Sequence, residues 1–191
     1  MARHGIRHLV LILGDQLDHH SPALDGFDPA QDLIIMGEVP DETRRIWSHK
    51  ARTALFLSAM RHFAAGLRTR KWPCEYSQLG QHAHESLESF IRAALKTHKP
   101  LRLVVVEPGE WHIEQMLHQV CTAAKVTLDA RDDTHFLISR HAFARWARGY
   151  RQLRMEFFYR MMRKEHAVLM QANGEPEQDR WNFDSENRGS F

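Results

Sequence analysis

Three short stretches carry side chains that could hold a ligand: Gly14-Asp15-Gln16-Leu17, Gly37-Glu38 and Glu107-Pro108-Gly109-Glu110-Trp111. Each closes an apolar run. Glycine at position 14 has no side chain to block a flat ring approaching the backbone, and Asp15 and Gln16 stand beside it to orient one. The carboxylates of Glu38 and Glu107 can accept hydrogen bonds from ring N–H or hydroxyl groups. Trp111 can stack on a ring or wall a pocket. This is the chemistry of holding a flat polar molecule. Turns after strands also favour Gly, Asp and Pro, so each residue taken singly has two readings. The convergence of three strand ends is what points to a cleft.

The elements that must position these residues can be read from periodicity. Leu9–Leu13, Leu33–Val39 and Leu101–Glu107 are mostly unbroken apolar runs, the pattern of strands buried on both faces of a parallel sheet. Residues 74–79 alternate weakly, as an edge strand would, and Lys125–Arg131 alternates as a fifth strand. Helical spacing covers Ser48–Leu67, Ser86–Leu95 and Trp111–Ala124. From Arg140 it continues as one long helix to about Gln171, with Phe143, Trp146, Tyr150, Leu153, Phe157 and Met161 on one stripe. Strands alternating with helices predict an α/β fold: a doubly wound, mostly parallel five-stranded sheet with helices on both faces, Rossmann-like, plus a long C-terminal helix. In such sheets ligands bind beyond the carboxyl ends of the strands, where the strand order reverses. Residues 1–172 read as one α/β domain. Asn173-Gly174-Glu175-Pro176 ends the helix, and residues 173–191 read as a polar interdomain linker.

Composition excludes several classes. The 191 residues carry a net charge of +2, with 43% hydrophobic and 26% charged residues, as in ordinary globular domains. There is no apolar run of about 18 residues to cross a membrane, and no secretory pattern opens the chain. Two cysteines, Cys74 and Cys121, fit buried thiols in a reducing, cytoplasmic setting, and are too few for a four-cysteine iron–sulfur cluster. GxGxxG, GxxxxGK[ST], HExxH and GxSxG are all missing. His19-His20 and His82-Ala83-His84 read as surface histidines, not metal ligands. Residues 134–170 hold eight Lys or Arg against two acids, a basic face that could track phosphates or pair with acids on a neighbour.

Five stretches together carry a resemblance: LVLILGDQL at 9–17, HKARTALFLSAMRHFAAGLR at 49–68, EPGEW at 107–111, MEFFYRMMRK at 155–164 and RWNFDSENR at 180–188. In order and spacing the chain resembles the N-terminal α/β domain of the photolyase/cryptochrome family, in its deoxyribodipyrimidine photolyase-related, iron–sulfur bacterial branch. The resemblance implies that intact members repair UV-damaged DNA or sense light. It implies FAD and a [4Fe–4S] cluster in a large helical C-terminal domain, and an antenna pigment, 6,7-dimethyl-8-ribityllumazine, in the N-terminal domain. The antenna cleft carries over onto Gly14, Asp15, Gln16, Leu17, Glu38, Glu107, Pro108, Gly109 and Trp111, with His49 and Lys50 closing it. The sequence ends at Phe191, so FAD and the cluster are expected only in a longer chain, and no catalytic residue is expected in this one.

The expected partner is therefore a small pigment. DNA belongs to intact relatives, with weak or no binding here. A partly exposed aromatic stripe on the long helix would allow self-association. Two other readings compete: a nucleotide-handling α/β enzyme, against which the missing phosphate loop argues, and a module that docks DNA or protein through the Arg-rich helix.

Overall fold

The computed structural model describes residues 5–45 and 48–182. Five strands, β1 (His8–Leu11), β2 (Leu33–Gly37), β3 (Cys74–Ser77), β4 (Arg102–Val106) and β5 (Thr127–Arg131), pair in parallel in the order β3-β2-β1-β4-β5. The order reverses between β1 and β4. The helices are α1 (Pro40–Arg45), α2 (Lys50–Thr69), α3 (Leu87–His98), α4 (Trp111–Ala124), α5 (Arg140–Ala147) and α6 (Met155–Glu165). The short α1, opened by a proline, has no periodic signal in the sequence.

The apolar runs explain the layers. Side chains alternate across a strand, so one face of the sheet presents Leu9, Leu11, Ile35, Leu103 and Val105 to Phe90, Ile91 and Leu95 of α3 and Leu117, Val120 and Cys121 of α4. The other face presents Val10, Ile12, Ile34, Met36, Val104 and Val106 to Met60, Phe63, Ala64 and Leu67 of α2. Each such aliphatic side chain contributes about 1.5–3 kcal/mol when fully buried. A capping box between Ser86 and Ser89 starts α3. Burial pushes both thiols up to about 11, that of half-buried Cys74 on the edge strand and that of buried Cys121 inside α4.

Two ionic clusters lie where the sequence gives little warning. Asp32, just before β2, is 2% exposed. It accepts from Arg7 Nε at 2.9 Å and Nη2 at 2.6 Å, and from the backbone N–H groups of His8 and Asp28. Glu38, just after β2, has a comparable set, described below. The buried strand is thus bracketed by two satisfied carboxylates.

The chain divides into two compact units, Met1–Ser139 and Arg140–Phe191, so the break falls at Ser139, inside the span read as one domain. In the second unit the expected single helix is two. Gly149, a poor helix former, follows α5, and α6 begins only at Met155. The second helix stops at Glu165: Ala167 and Leu169 adopt left-handed backbone (φ 51° and 53°), and the Arg163 guanidinium donates to the carbonyls of Val168 and Leu169. The aromatic stripe becomes a cluster across both helices, with Trp146 4.9 Å from Tyr150 and 5.0 Å from Phe158 between ring centroids. Three of its basic residues are engaged locally. Arg160 pairs with Glu156, and Arg160, Arg163 and Lys164 all lie 5.2–5.4 Å from the Trp181 ring. Of the stretch RWNFDSENR, residues 183–188 lie outside the described residues. Among the described residues no helix is long and apolar enough to cross a membrane.

Candidate functional site at the sheet switch point

The strands around β1 part company at its carboxyl end. Pairing with β4 ends at Val10↔Val104, while β4 continues along β5 to Val106↔Arg131 and β1 continues along β2, with Ile12 N–H donating to Ile35. Into this divergence the chain turns at Gly14. Gln16, 8% exposed, spans it: its Nε2 donates to the carbonyls of Val106 and Glu107, both at 3.2 Å. One side chain thus stitches the end of β1 to the end of β4. Its Oε1 is closed to solvent and has no hydrogen-bond partner.

Gly14 has a different role from the one its sequence suggests. A Cβ there would stand 2.5 Å from the Phe56 ring and 2.9 Å from the Met60 sulfur. The glycine therefore admits α2, whose N-terminal half lies over the strand end. A substituent at Gly109 would meet nothing within 4 Å, so that turn is open.

Glu38 is fully engaged. Its side chain is inaccessible, and four donors reach it: Arg61 Nε at 2.6 Å, Arg61 Nη2 at 2.8 Å, Tyr76 Oη at 2.5 Å and the Leu79 N–H at 2.9 Å. Burial alone would push its pKa up. The hydrogen bonds from Arg61, Tyr76 and Leu79 outweigh that and hold the carboxyl below the usual glutamate range. Arg61 is held correspondingly high by its bonds to Glu38, and Tyr76 is raised by burial and by its bond to the same carboxylate. His82 Nε2 meets the Glu38 carbonyl at 2.9 Å. The network ties α2, β3 and the loop after β3 to the end of β2.

The remaining residues divide by role. Asp15 is exposed, and Leu17 packs against the α2-side core. His49 caps α2, its Nδ1 accepting from the Ala51 N–H at 3.1 Å, and Lys50 beside it is exposed. Glu107 donates its N–H to the Arg131 carbonyl, Pro108 is buried, and Trp111 opens α4 at 72% exposure. Sequence reasoning missed Arg61, Tyr76 and Arg131, whose guanidinium donates to the carbonyls of Pro22 and Asp25 and fastens the loop after Gln16. A cation one turn from Leu57 and Ala64, on the flank of the apolar stripe of α2, was the available signal for Arg61. A hollow of about 530 Å³ opens away from this cleft, between the C-terminal ends of α3 and α4, lined by Arg92, Lys96, Lys99 and Lys125. Cations there offset the negative ends of two helices. Among the described residues no group of three or more His, Cys, Asp or Glu could hold a metal.

The model of the deoxyribodipyrimidine photo-lyase-related protein family matches residues 10–191. The chain belongs to that family. It is 42% identical over 182 residues to a (6-4) photolyase of Agrobacterium fabrum (strain C58 / ATCC 33970), a match that takes in 94% of this chain and 36% of the relative. The chain thus spans about a third of the length of that photolyase-related relative.

Proposed function

We propose that this chain is the antenna-pigment module of a photolyase-related protein and holds 6,7-dimethyl-8-ribityllumazine at the β1/β4 switch point. The observation that carries the reading is Gln16: a buried amide crossing the divergence of two strands, with an acceptor left unmatched. An unpaired buried carbonyl costs about 1–3 kcal/mol, and a ligand with a donor group removes that cost. The donor set fits a flat polar ring in part. Gln16 offers the acceptor, Asp15 and the open Gly109 turn stand at the mouth, and Trp111 supplies an exposed aromatic face. Glu38 serves as support, because its oxygens already have four donors.

In a longer relative the bound pigment would absorb near-UV or blue light and pass excitation to FAD, in the service of DNA repair or light sensing. The residues of this chain contribute binding, orientation and exclusion of water. Rigid walls from α2 and the Glu38 network fix the ring's direction, and so its transition dipole. FAD, a [4Fe–4S] cluster and DNA enter this proposal only through such a longer chain. Exposed apolar side chains of the second unit, among them Leu153 just before α6 and Met155 at its start, at 53% and 76% exposure, favour self-association. Light scattering at high concentration reads this directly, and a strict monomer would refute it.

The test is an absorption and fluorescence titration of the purified chain with the ribityllumazine. A shifted near-UV band and saturable uptake near one equivalent are expected. A folded chain that leaves the pigment's spectrum unchanged at tens of micromolar would refute the reading.

A further inference from the structure

We infer that the hollow between the C-terminal ends of α3 and α4 is a second binding site, for a phosphate monoester with an apolar body. It lies at the amino edge of the sheet, ahead of β4 and β5, and stands independently of the pigment reading. Its volume of about 530 Å³ is within the range of small-molecule sites, about 300–1,000 Å³. Buried Leu95, Pro100 and Val120 form its floor, and exposed Arg92, Lys96, Lys99 and Lys125 its rim. Neither residues 92–106 nor residues 115–128 contain an acid. Arg92 pairs with Glu88 at 2.8 Å. Among the described residues the ammonium groups of Lys96, Lys99 and Lys125 have no partner.

The charge balance selects the ligand. A helix end carries about half a negative charge, so the two ends here neutralise about one lysine and leave about two positive charges uncompensated. A phosphate monoester carries about −1.5 to −2 at neutral pH, on three acceptor oxygens. It matches both the surplus and the three ammonium donors. The apolar floor adds nothing to the holding of inorganic phosphate, and it gives the organic group of an ester a surface to lie on. Backbone geometry points the same way. Both helices end on a left-handed lysine, Lys99 at φ 47° and Lys125 at φ 56°. Glycine closes a helix in this way without steric cost. The chain uses lysine at both ends, and both side chains line the hollow. The backbone is strained there, and what lysine supplies in return is charge.

The experiment follows the backbone amides of the isotope-labelled chain by NMR at low salt, during titration with phenyl phosphate, phenyl sulfate or inorganic phosphate. Phenyl phosphate is expected to shift amides of residues 95–101 and 120–127 saturably, at millimolar concentrations or below. Phenyl sulfate has the same ring and a single charge, and should bind about fivefold more weakly. Inorganic phosphate, which makes no use of the floor, should also bind more weakly than the ester. Lys99→Gly and Lys125→Gly each remove a charge while giving the left-handed position the residue that suits it, so the fold is kept, as thermal unfolding will check. Each should weaken phenyl phosphate about tenfold. Lys71→Gly alters an equally left-handed lysine (φ 59°) outside the hollow and should leave the affinity unchanged. Undiminished binding when Lys99→Gly and Lys125→Gly are combined would overturn the site. So would an equal loss in Lys71→Gly, the mark of general charge attraction, or amides that stay still at tens of millimolar phenyl phosphate. Inorganic phosphate binding as tightly as the phenyl ester would overturn the choice of an ester. None of these outcomes touches the pigment reading, which concerns the opposite edge of the sheet.

Discussion

Glu38 and Gln16 both close buried strands of the same sheet, yet they are finished to different degrees. Glu38 ends β2 with four donors on one carboxylate. Gln16 follows β1 with two donations made and its acceptor unused. Native structures leave few buried polar atoms unmatched. A carboxylate with every lone pair occupied is a structural joint, whereas an amide with one end unmatched is a place where the structure tolerates a cost. The contrast reverses the roles the residue types suggest: the charged group is the satisfied scaffold, and the neutral one keeps an unmatched acceptor.

The comparison can be broken most strongly at Glu38. Glu38→Ala leaves the Tyr76 hydroxyl and the Leu79 N–H without partners and should cost about 3 kcal/mol, the lower end for a buried pair because Arg61 stands half in solvent. Urea unfolding measures it, and a loss below about 1 kcal/mol would show the joint to be ornamental. The same joint has an acid signature. Because the folded-state pKa of Glu38 is depressed, its contribution is complete at neutral pH and is lost as pH falls through that lowered value. In Glu38→Gln this part of the acid dependence should disappear, leaving a flatter stability profile below the usual glutamate range.

Gly14→Ala sharpens the comparison from the neighbouring side. A methyl group 2.5 Å from the Phe56 ring must push the ring or the helix, at about 1–3 kcal/mol. Gly14→Ala with Phe56→Leu should recover part of that loss, a coupling a double-mutant cycle reads. Smallest of all should be Gln16→Met. It takes a donor from the Val106 and Glu107 carbonyls but also removes an unmatched acceptor, and the two effects partly offset, so the net cost without ligand is expected at about 1 kcal/mol. A loss as large as that of Glu38→Ala would erase the distinction drawn between the two residues.

Much of this was legible in the sequence. Apolar runs such as Leu9–Leu13 and Leu101–Glu107 announce buried parallel strands, and the glycine and acids behind them mark the carboxyl edge. The pairing of polar side chains was not legible. Glu38 and Arg61 are 23 residues apart, and hydrogen-bond saturation is a property of three-dimensional approach that no local pattern encodes. Gly14 illustrates a second limit. A glycine shows that something comes close, but not whether it is a ligand or, as here, the protein's own Phe56. The broken helix after Arg140 shows a third: the aromatic spacing was right, while Gly149 and the Arg163 cap, which stop α5 and α6, act through backbone and tertiary contacts.

The two thiols amount to a pair of clocks. With pKa values near 11, neither is a reactive thiolate at neutral pH, so an alkylating reagent waits for the protein to open. Cys74 begins the edge strand β3 and should be labelled when that edge frays. Cys121 is sealed between α4 and the sheet, and should be labelled only when the whole layer lifts. The difference between the two labelling rates would report local against global opening of the same sheet.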